Sequence, residues 1–473
     1  MKFRVQIIVE HEDGETTQIV EEVGCLSRES LSPATLGMSL AEGKELLAGI
    51  QQQMVDHQVQ AFNKESKRCP HCHKQRGRKD TKRLVMRTIF GKLNLPNPRL
   101  YTCSCQPQAT KSVTPLAHHL PERTTPELKY LQSKWASLAS YGLTVKLLEE
   151  ALPLTANTMT IRRHTQETAE RLESDMPDEP EPYFYGIPML WDQMPEPASP
   201  LTVGIDGGYI HARDGDNRKA GWFEAIVGKS IPDDGDTKRF AFVHQYEERP
   251  QRHLIEALKL QGLSMRQSIT FLSDGGDTVR NLQDQLVPYA EYILDWFHIT
   301  MRITTLKQMA KSFTSLEDLK DAETQLEKIK WYLWHGNTFH ALQKISWLYE
   351  DVSWIEPEET PNPDRYARFT KSLSELHTYI ENNRPFIPNY GERHRYGEPI
   401  STAFVESTVN EVISRRMVKK QQMRWTQKGA HTLLQVRTQT LNDDLRDKFC
   451  EWYPGMANTG ALVDGQLGNR PVC

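Results

Sequence analysis

The stretch FLSDGGDTVR, residues 271–280, decides how the rest of the chain is read. A short apolar run ends in a carboxylate, Asp274, followed by two glycines and a second carboxylate, Asp277. An apolar run of this length bounded by Gly and Asp is the pattern of a buried strand. Upstream, LTVGIDGGYI (201–210), GWFEAIVGKSI (221–231) and KRFAFVHQYEE (238–248) are three strand-like runs separated by turn residues. RHLIEALKLQGL (252–263) has helical spacing, and QSITFLSD (267–274) is the fourth strand. Downstream, TVRNLQDQL (278–286) reads as a helix and EYILDWFHI (291–299) as a fifth strand. Three strands at hairpin spacing followed by alternating helix and strand predict a mixed sheet in an α/β domain.

Within that domain Asp206 lies in VGIDGG, on a first strand where Val203 and Ile205 alternate around it. Carboxylates on adjacent strands, flanked by glycines that admit close backbone approach, make a cage for divalent cations. Asp206 and Asp274 are 68 positions apart, room for three strands and a helix between them. A third carboxylate is needed to hold two Mg²⁺ (or Mn²⁺) ions, which together can drive phosphodiester transfer. Glu406 and Glu411, on a helix beginning near residue 402, are the candidates. Plainer readings stand beside these: Asp-Gly is a common turn dipeptide, and Glu411 can pair with Arg415 at i,i+4. Asp277 suits the N-cap of the helix starting at Thr278. VGKS (227–230) lacks the first glycine of a phosphate loop, Phe223 standing there instead.

The chain has 473 residues and a formal net charge of −4, enough length for two to four domains. The charge is unevenly spread. Residues 61–110 hold 12 Lys/Arg against Glu65 and Asp80, whereas 173–199 hold 7 Asp/Glu and no Lys or Arg. A basic block of this kind points to a polyanion. It encloses CPHC (Cys69, Cys72) and CSC (Cys103, Cys105), two knuckles separated by a segment resembling two strands and a turn. Four thiolates so arranged suit a structural Zn²⁺ in a zinc ribbon, with His71 or His73 able to replace one Cys. No secretory signal and no membrane-spanning run is read from the sequence, which predicts a cytoplasmic protein with no membrane partner.

Seven divisions follow. Residues 1–65 form an N-terminal strand and helix, and 66–110 the ribbon. A helical, helix-turn-helix-like region (120–172) presents Arg162, Arg163 and His164 early in its last helix, and an acidic linker with seven prolines spans 173–200. Residues 201–300 are the first part of the sheet domain, 301–400 a helical stretch, and 401–473 the helix carrying Glu406 with a C-terminal helix. Arg415, Arg416, Lys419, Lys420, Arg424 and Lys428 follow Glu406 with no acidic residue after Glu411, a phosphate-binding stripe. Trp425 is placed to stack on a base or wedge a duplex end.

GIDGGY, FLSDGGDTVRNLQ, LDWFHITMR and FVESTVNEVISRRMVKKQQMRW together resemble the Kra-type insertion-sequence transposases of bacteria, relatives of the Mutator-like elements. The resemblance covers about residues 200–450 closely, and the ribbon and helices before it resemble that family's DNA-binding part. It implies a ribonuclease H-like catalytic domain with an all-α insertion, and an Asp-Asp-Glu triad that falls on Asp206, Asp274 and Glu406. It also implies that Asp295 and His298 match a short motif after the second Asp. His298 is expected either to assist the leaving group or position DNA, or to be a structural histidine at a strand end. The expected activity is Mg²⁺-dependent transposition: binding of terminal inverted repeats in double-stranded DNA, hydrolysis at the element ends, and joining of 3′-OH ends to target DNA. Paired ends imply a homodimer or higher assembly, nucleoid-associated in the cytoplasm. The rivals are a ribonuclease H-like nuclease without strand transfer and a non-catalytic, transposase-derived DNA-binding protein.

Overall fold

The computed structural model describes residues 1–9, 19–105, 111–176, 200–213, 221–233, 235–261, 268–276, 279–282, 290–313, 321–355, 360, 362–418 and 423–456. Two compact units emerge: Met1–Thr168 with the described residues from Asp444 on, and Ala169–Asp443.

In the first unit, β1 (Lys2–Val9) and β2 (Ile19–Ser27) pair antiparallel, and α1 (Leu40–Ser66) follows. A capping box joins Ser39 and Glu42 at its start: each side chain accepts the other residue's backbone N–H. The basic block folds as β3 (Arg78–Thr88) and β4 (Gly91–Tyr101), joined by a two-residue turn, with β5 (Ser112–Val113) on the far edge of β4. The alternate side chains Leu84, Met86, Leu93 and Leu95 bury one face against Val59 of α1 and Leu116 of α2 (Pro115–His119). Then come α3 (Pro126–Leu138), α4 (Tyr141–Ala151) and α5 (Thr158–Asp175), which share a small core of Ala136, Leu148 and Ile161. Late in the chain, α14 (Leu445–Trp452) sets Phe449 edge-on to Tyr130 and pairs Arg446 with Glu127 of α3. Helix α5 runs to Asp175, so the first three positions of the expected linker are helical; 177–199 lie outside the described residues.

The second unit is built on a five-stranded sheet in the order β10-β9-β6-β7-β8. Strands β6 (Leu201–His211), β7 (Trp222–Pro232) and β8 (Lys238–Val243) form an antiparallel meander. Strands β9 (Ile269–Ser273) and β10 (Glu291–Leu294) run parallel to β6. The mixed α/β sheet read from the sequence is therefore present. Of the helix expected over 278–286, residues 279–282 are described and helical; Asp277 and Thr278 lie outside the described residues.

Both faces of the sheet are covered. Leu201, Val203 and Ile205 of β6 pack with α6 (Gln251–Lys259) through Leu254, Ile255 and Leu258. The alternate residues of β6 face α12 (Ala403–Val409), a nine-residue π-helix (Asn410–Val418) and α13 (Gln427–Leu441). Contact on that side depends on two glycines. A Cβ at Gly204 would stand 2.0 Å from Val405 Cγ2, and one at Gly208 2.6 Å from Ile413 Cδ1, so the helix rests directly on the strand backbone.

Helices α7 (Trp296–Ala310), α8 (Ala322–Trp334), α9 (Thr338–Ser353), α10 (Pro363–Asn382) and α11 (Tyr390–Arg395) pack beside β10. Their core is continuous with Leu272, Ile293 and Leu294 of the sheet. The helical stretch leaves and returns through one neck: Trp296 N–H donates to Ile400 O at 3.1 Å, and Thr402 Oγ1 donates to Asp295 Oδ2. Two boundaries differ from the sequence reading. The fifth strand stops at Leu294 because Asp295 Oδ1 accepts Phe297 N–H at 2.7 Å and opens a helix, so Trp296–Ile299 are helical. The helix expected over 401–425 divides into α12 and the π-helix, after which 419–422 lie outside the described residues.

Gly204→Ala tests the packing of α12 on β6. The added methyl has no room, so a loss of about 1–3 kcal/mol is expected in denaturant unfolding, against little change for Gly43→Ala, which faces open space.

Candidate active site and cysteine cluster

Asp206 lies on the face of β6 that also carries Gly204 and Gly208, beneath the helix that bears Glu406. Its Oδ1 accepts the N–H of Gly207 at 2.8 Å. Asp274 is the first residue beyond β9, the parallel neighbour of β6, and its Oδ1 accepts Gly276 N–H at 2.9 Å. The two carboxylates feel one another. Burial is the main cause that holds the Asp206 carboxyl above the ordinary aspartate range. The Gly207 N–H and nearby His298 oppose the shift, while the charges of Asp274 and Asp295 add to it. Glu406 is exposed and directly follows Val405, whose side chain touches the backbone of Gly204. Among the described residues, two groups bring three or more potential metal-ligating side chains within 4.8 Å of one another, and these three carboxylates are not one of them.

Glu411, the other candidate, is engaged elsewhere. Its carboxylate accepts Arg239 Nε–H at 3.0 Å, and its backbone carbonyl accepts from Arg437 at 2.5 Å. The expected pairing with Arg415 is replaced by this cross-element one. His298 lies in the first turn of α7, not at a strand end, with Nε2 3.6 Å from the fully buried Asp295.

The proposed phosphate contacts separate by burial. Arg415 and Arg424 are exposed, as is Lys428, which lies 3.3 Å from Glu170. Lys419 and Lys420 lie outside the described residues. Arg416 and Trp425 correct the sequence reading: they are 1% and 6% exposed, with the guanidinium 5.3 Å over the indole ring. Trp425 is held there by its backbone, which bonds on both sides to the end of β6, His211 O accepting at 2.9 Å. Neither residue can reach DNA in this arrangement. In α5, Arg163 is exposed and Arg162 half-buried, but His164 is buried and bonded to Gln132 at 2.5 Å, contrary to its expected exposure. Burial lowers its pKa to about 4, so it is neutral at physiological pH.

The four cysteines converge. Cys69 Sγ is 3.5 Å from Cys105 Sγ and Cys72 Sγ is 3.4 Å from Cys103 Sγ, all four within 4.8 Å of one another. A tetrahedral zinc with Zn–S of about 2.3 Å separates its sulfurs by nearly that distance, so the cluster could bind zinc without either histidine. Backbone N–H groups of Cys72 and His71 lower the Cys69 thiol to about 6, while the neighbouring sulfurs push Cys105 up to about 12. Four thiolates cannot share this space without a cation.

The sequence reading missed a second cluster: Glu247, His253 and His431, whose ligand atoms also lie within 4.8 Å. Its bonding pattern is already that of a closed ionic network. Glu247 Oε2 is 2.7 Å from His253 Nε2 and accepts from Arg252 at 3.1 Å. His431 Nδ1 accepts Val243 N–H at 3.3 Å, so its neutral ring carries its proton on Nε2, facing Glu173 Oε1 at 2.8 Å. A metal ligand shows the reverse tautomer, with its second nitrogen donating.

Two outcomes are expected. Cys72→Ser removes stoichiometric zinc by mass spectrometry and unfolds the β3–β4 sheet, since structural zinc supplies roughly 10–16 kcal/mol in finger peptides; Cys25→Ser, outside the cluster, does neither. A raised folded pKa at Asp206 leaves stability intact where the group is protonated in both states. That stability is lost as pH rises through the raised value. Metal-free Asp206→Asn is therefore expected to melt above the wild type near neutral pH, the difference closing towards about pH 4.

No family model and no curated protein matches the chain. Among solved structures, it aligns with the Drosophila P element transposase strand transfer complex at 11% identity, over 68% of this chain and 93% of that one, with a TM-score of 0.31. It also aligns with a crystal structure of NurA at 13% identity, over 55% and 74% of the two chains, with a TM-score of 0.12. At these TM-scores neither likeness fixes a fold or a function.

Proposed function

We propose that this chain is a DNA transposase whose Asp206, Asp274 and Glu406 hold two divalent cations for phosphodiester hydrolysis and strand transfer. The observation that carries the reading is the placement of Asp206 on β6 and of Asp274 just past the end of the adjacent parallel β9, with Glu406 on a helix seated on the glycines of β6. The strand order and directions agree with a ribonuclease H-like sheet. An all-oxygen donor set fits Mg²⁺ or Mn²⁺ rather than zinc.

When bound, such cations stabilise negative charge on the attacking and leaving oxygens of the phosphodiester. The chain's own residues do the rest. Asp206 supplies charge from within the sheet, and Asp274 from the turn just past β9, so the strands bring the two carboxylates to one end of the sheet before DNA arrives. Glu406, exposed on α12, completes the donor set from the opposite layer. His298, whose Nε2 lies 3.6 Å from Asp295 and whose charge acts on Asp206, is the group that moves a proton at the leaving oxygen or positions DNA. Arg415 and Arg424 contact phosphates, and the basic β3–β4 sheet with Arg162 and Arg163 of α5 binds the terminal repeats. Joining two ends in one reaction calls for a homodimer or larger assembly. Among the described residues no helix is long and apolar enough to cross a membrane.

The test is incubation of the purified protein with Mg²⁺ and duplexes bearing its own element's ends, with and without pre-cleaved 3′-OH termini. Cleavage and joined products are expected, and Asp274→Asn should lose ~1000-fold or more in rate, the scale of several kcal/mol of charge stabilisation. Cutting without joining would leave a nuclease instead; undiminished cleavage by Asp274→Asn would overturn the site.

A further inference from the structure

We propose that Tyr379, on the helical insertion, is a positioning residue for Asp274, so that the insertion sets the divalent-cation affinity of the carboxylate site. The inference rests on the reading of Asp206, Asp274 and Glu406 as that site. Asp274 stands one residue past β9, where the sheet's hydrogen-bond ladder no longer holds the backbone. Its carbonyl oxygen instead accepts a hydrogen bond from Tyr379 Oη of α10, 105 positions away, at 2.9 Å.

The hydroxyl is itself fixed. Arg302 of α7 lies 4.2 Å over the Tyr379 ring, a cation–π contact that sets the ring's plane. Beside it, Asn383 at the end of α10 presses on the next residue of the turn. A Cβ at Gly275 would lie 2.7 Å from Asn383 Oδ1, and the Gly275 φ of +87° excludes most side chains there as well. From below, Ser273 Oγ accepts Gly275 N–H at 3.3 Å and bonds Tyr292 Oη at 2.7 Å. The turn that aims the Asp274 carboxylate is thus clamped by the sheet on one side and by the insertion on the other. Tyr379 makes the polar contact from the insertion side.

Two acidic groups close enough to perturb each other do not hold a common orientation unaided, because their repulsion favours turning one away. Fixing the Asp274 peptide opposes this and leaves the cation fewer rearrangements to impose. Loss of such outer contacts costs roughly 10–100-fold in metal affinity.

Tyr379→Phe keeps the ring and its contact with Arg302 and removes only the hydroxyl. Mn²⁺ binding is measured by calorimetry on the full chain, alongside the Mg²⁺ dependence of cleavage and the metal-free melting temperature. The expected result is ~10-fold weaker Mn²⁺ binding and a matching rise in half-saturating Mg²⁺, with kcat restored at saturating metal and the melt little changed. Tyr390→Phe is the control: Tyr390 Oη grips the neighbouring strand at Leu294 O, 2.6 Å away, and its loss should leave Mn²⁺ affinity as it was. Wild-type affinity in Tyr379→Phe overturns the proposal. So does equal weakening in both variants, or a lowered melt with kcat that added metal fails to restore. Should Asp274→Asn bind Mn²⁺ as tightly as the wild type, the cation-site reading itself fails, an outcome separate from any result with Tyr379.

Discussion

The second unit depends on the contact between a helix and the bare backbone of β6. Two-residue periodicity sorts GIDGG so that Gly204, Asp206 and Gly208 share one face, while Val203 and Ile205 fill the core on the other. With no Cβ at Gly204 or Gly208, α12 and the π-helix approach the strand more closely than any side chain allows. Asp206, half-buried, lies between those two footprints on the same face of the strand. The same approach partly buries Asp206, which raises its pKa, while Glu411 lies a turn further on and reaches Arg239.

The same gap is electrostatically costly. Asp206, Asp274 and the fully buried Asp295 bring negative charge into one region, and His298 acts against it at Asp206. Asp295 is stabilised by the helix it opens and by Thr402; Asp206 has one backbone N–H. Folded proteins retain such unfavourable groupings chiefly at functional sites. The buried network of Glu173, Glu247, Arg252, His253 and His431 is the opposite case. There Arg252 and the His253 ring face Glu247 while the His431 ring faces Glu173, and these contacts tie α5, α6 and α13 together around the end of β8.

The strands of the second unit were legible because alternation and turn residues are local signals, as were the two cysteine knuckles; β2, the partner of the one strand expected in residues 1–65, was not read. The end of β10 was misread for a physical reason: WFHI is aromatic and apolar like the strand before it, and the hydrogen bond that converts Asp295 into a helix cap does not show in hydropathy. Arg416 looked like part of a phosphate-binding run because its neighbours are basic. Its burial is decided by Trp425, whose position is set in turn by backbone bonds to β6, more than two hundred residues earlier. Tyr379 gave no signal at all, since nothing in a helical aromatic marks the carbonyl it will meet 105 positions away.

The neck at Asp295–Thr402 has an evolutionary consequence. Because the chain enters and leaves the helical stretch at neighbouring points, segments of very different length could occupy this position with little change in closure entropy. The lineage of such a chain is free to trade one helical body for another, but within a limit. Any replacement must again cover the apolar edge of the sheet at Leu272, Ile293 and Leu294 and, on the reading proposed here, bring a hydroxyl to the carbonyl of Asp274. Exchange of the whole body is thus limited at its base, by one apolar seam and one donor atom.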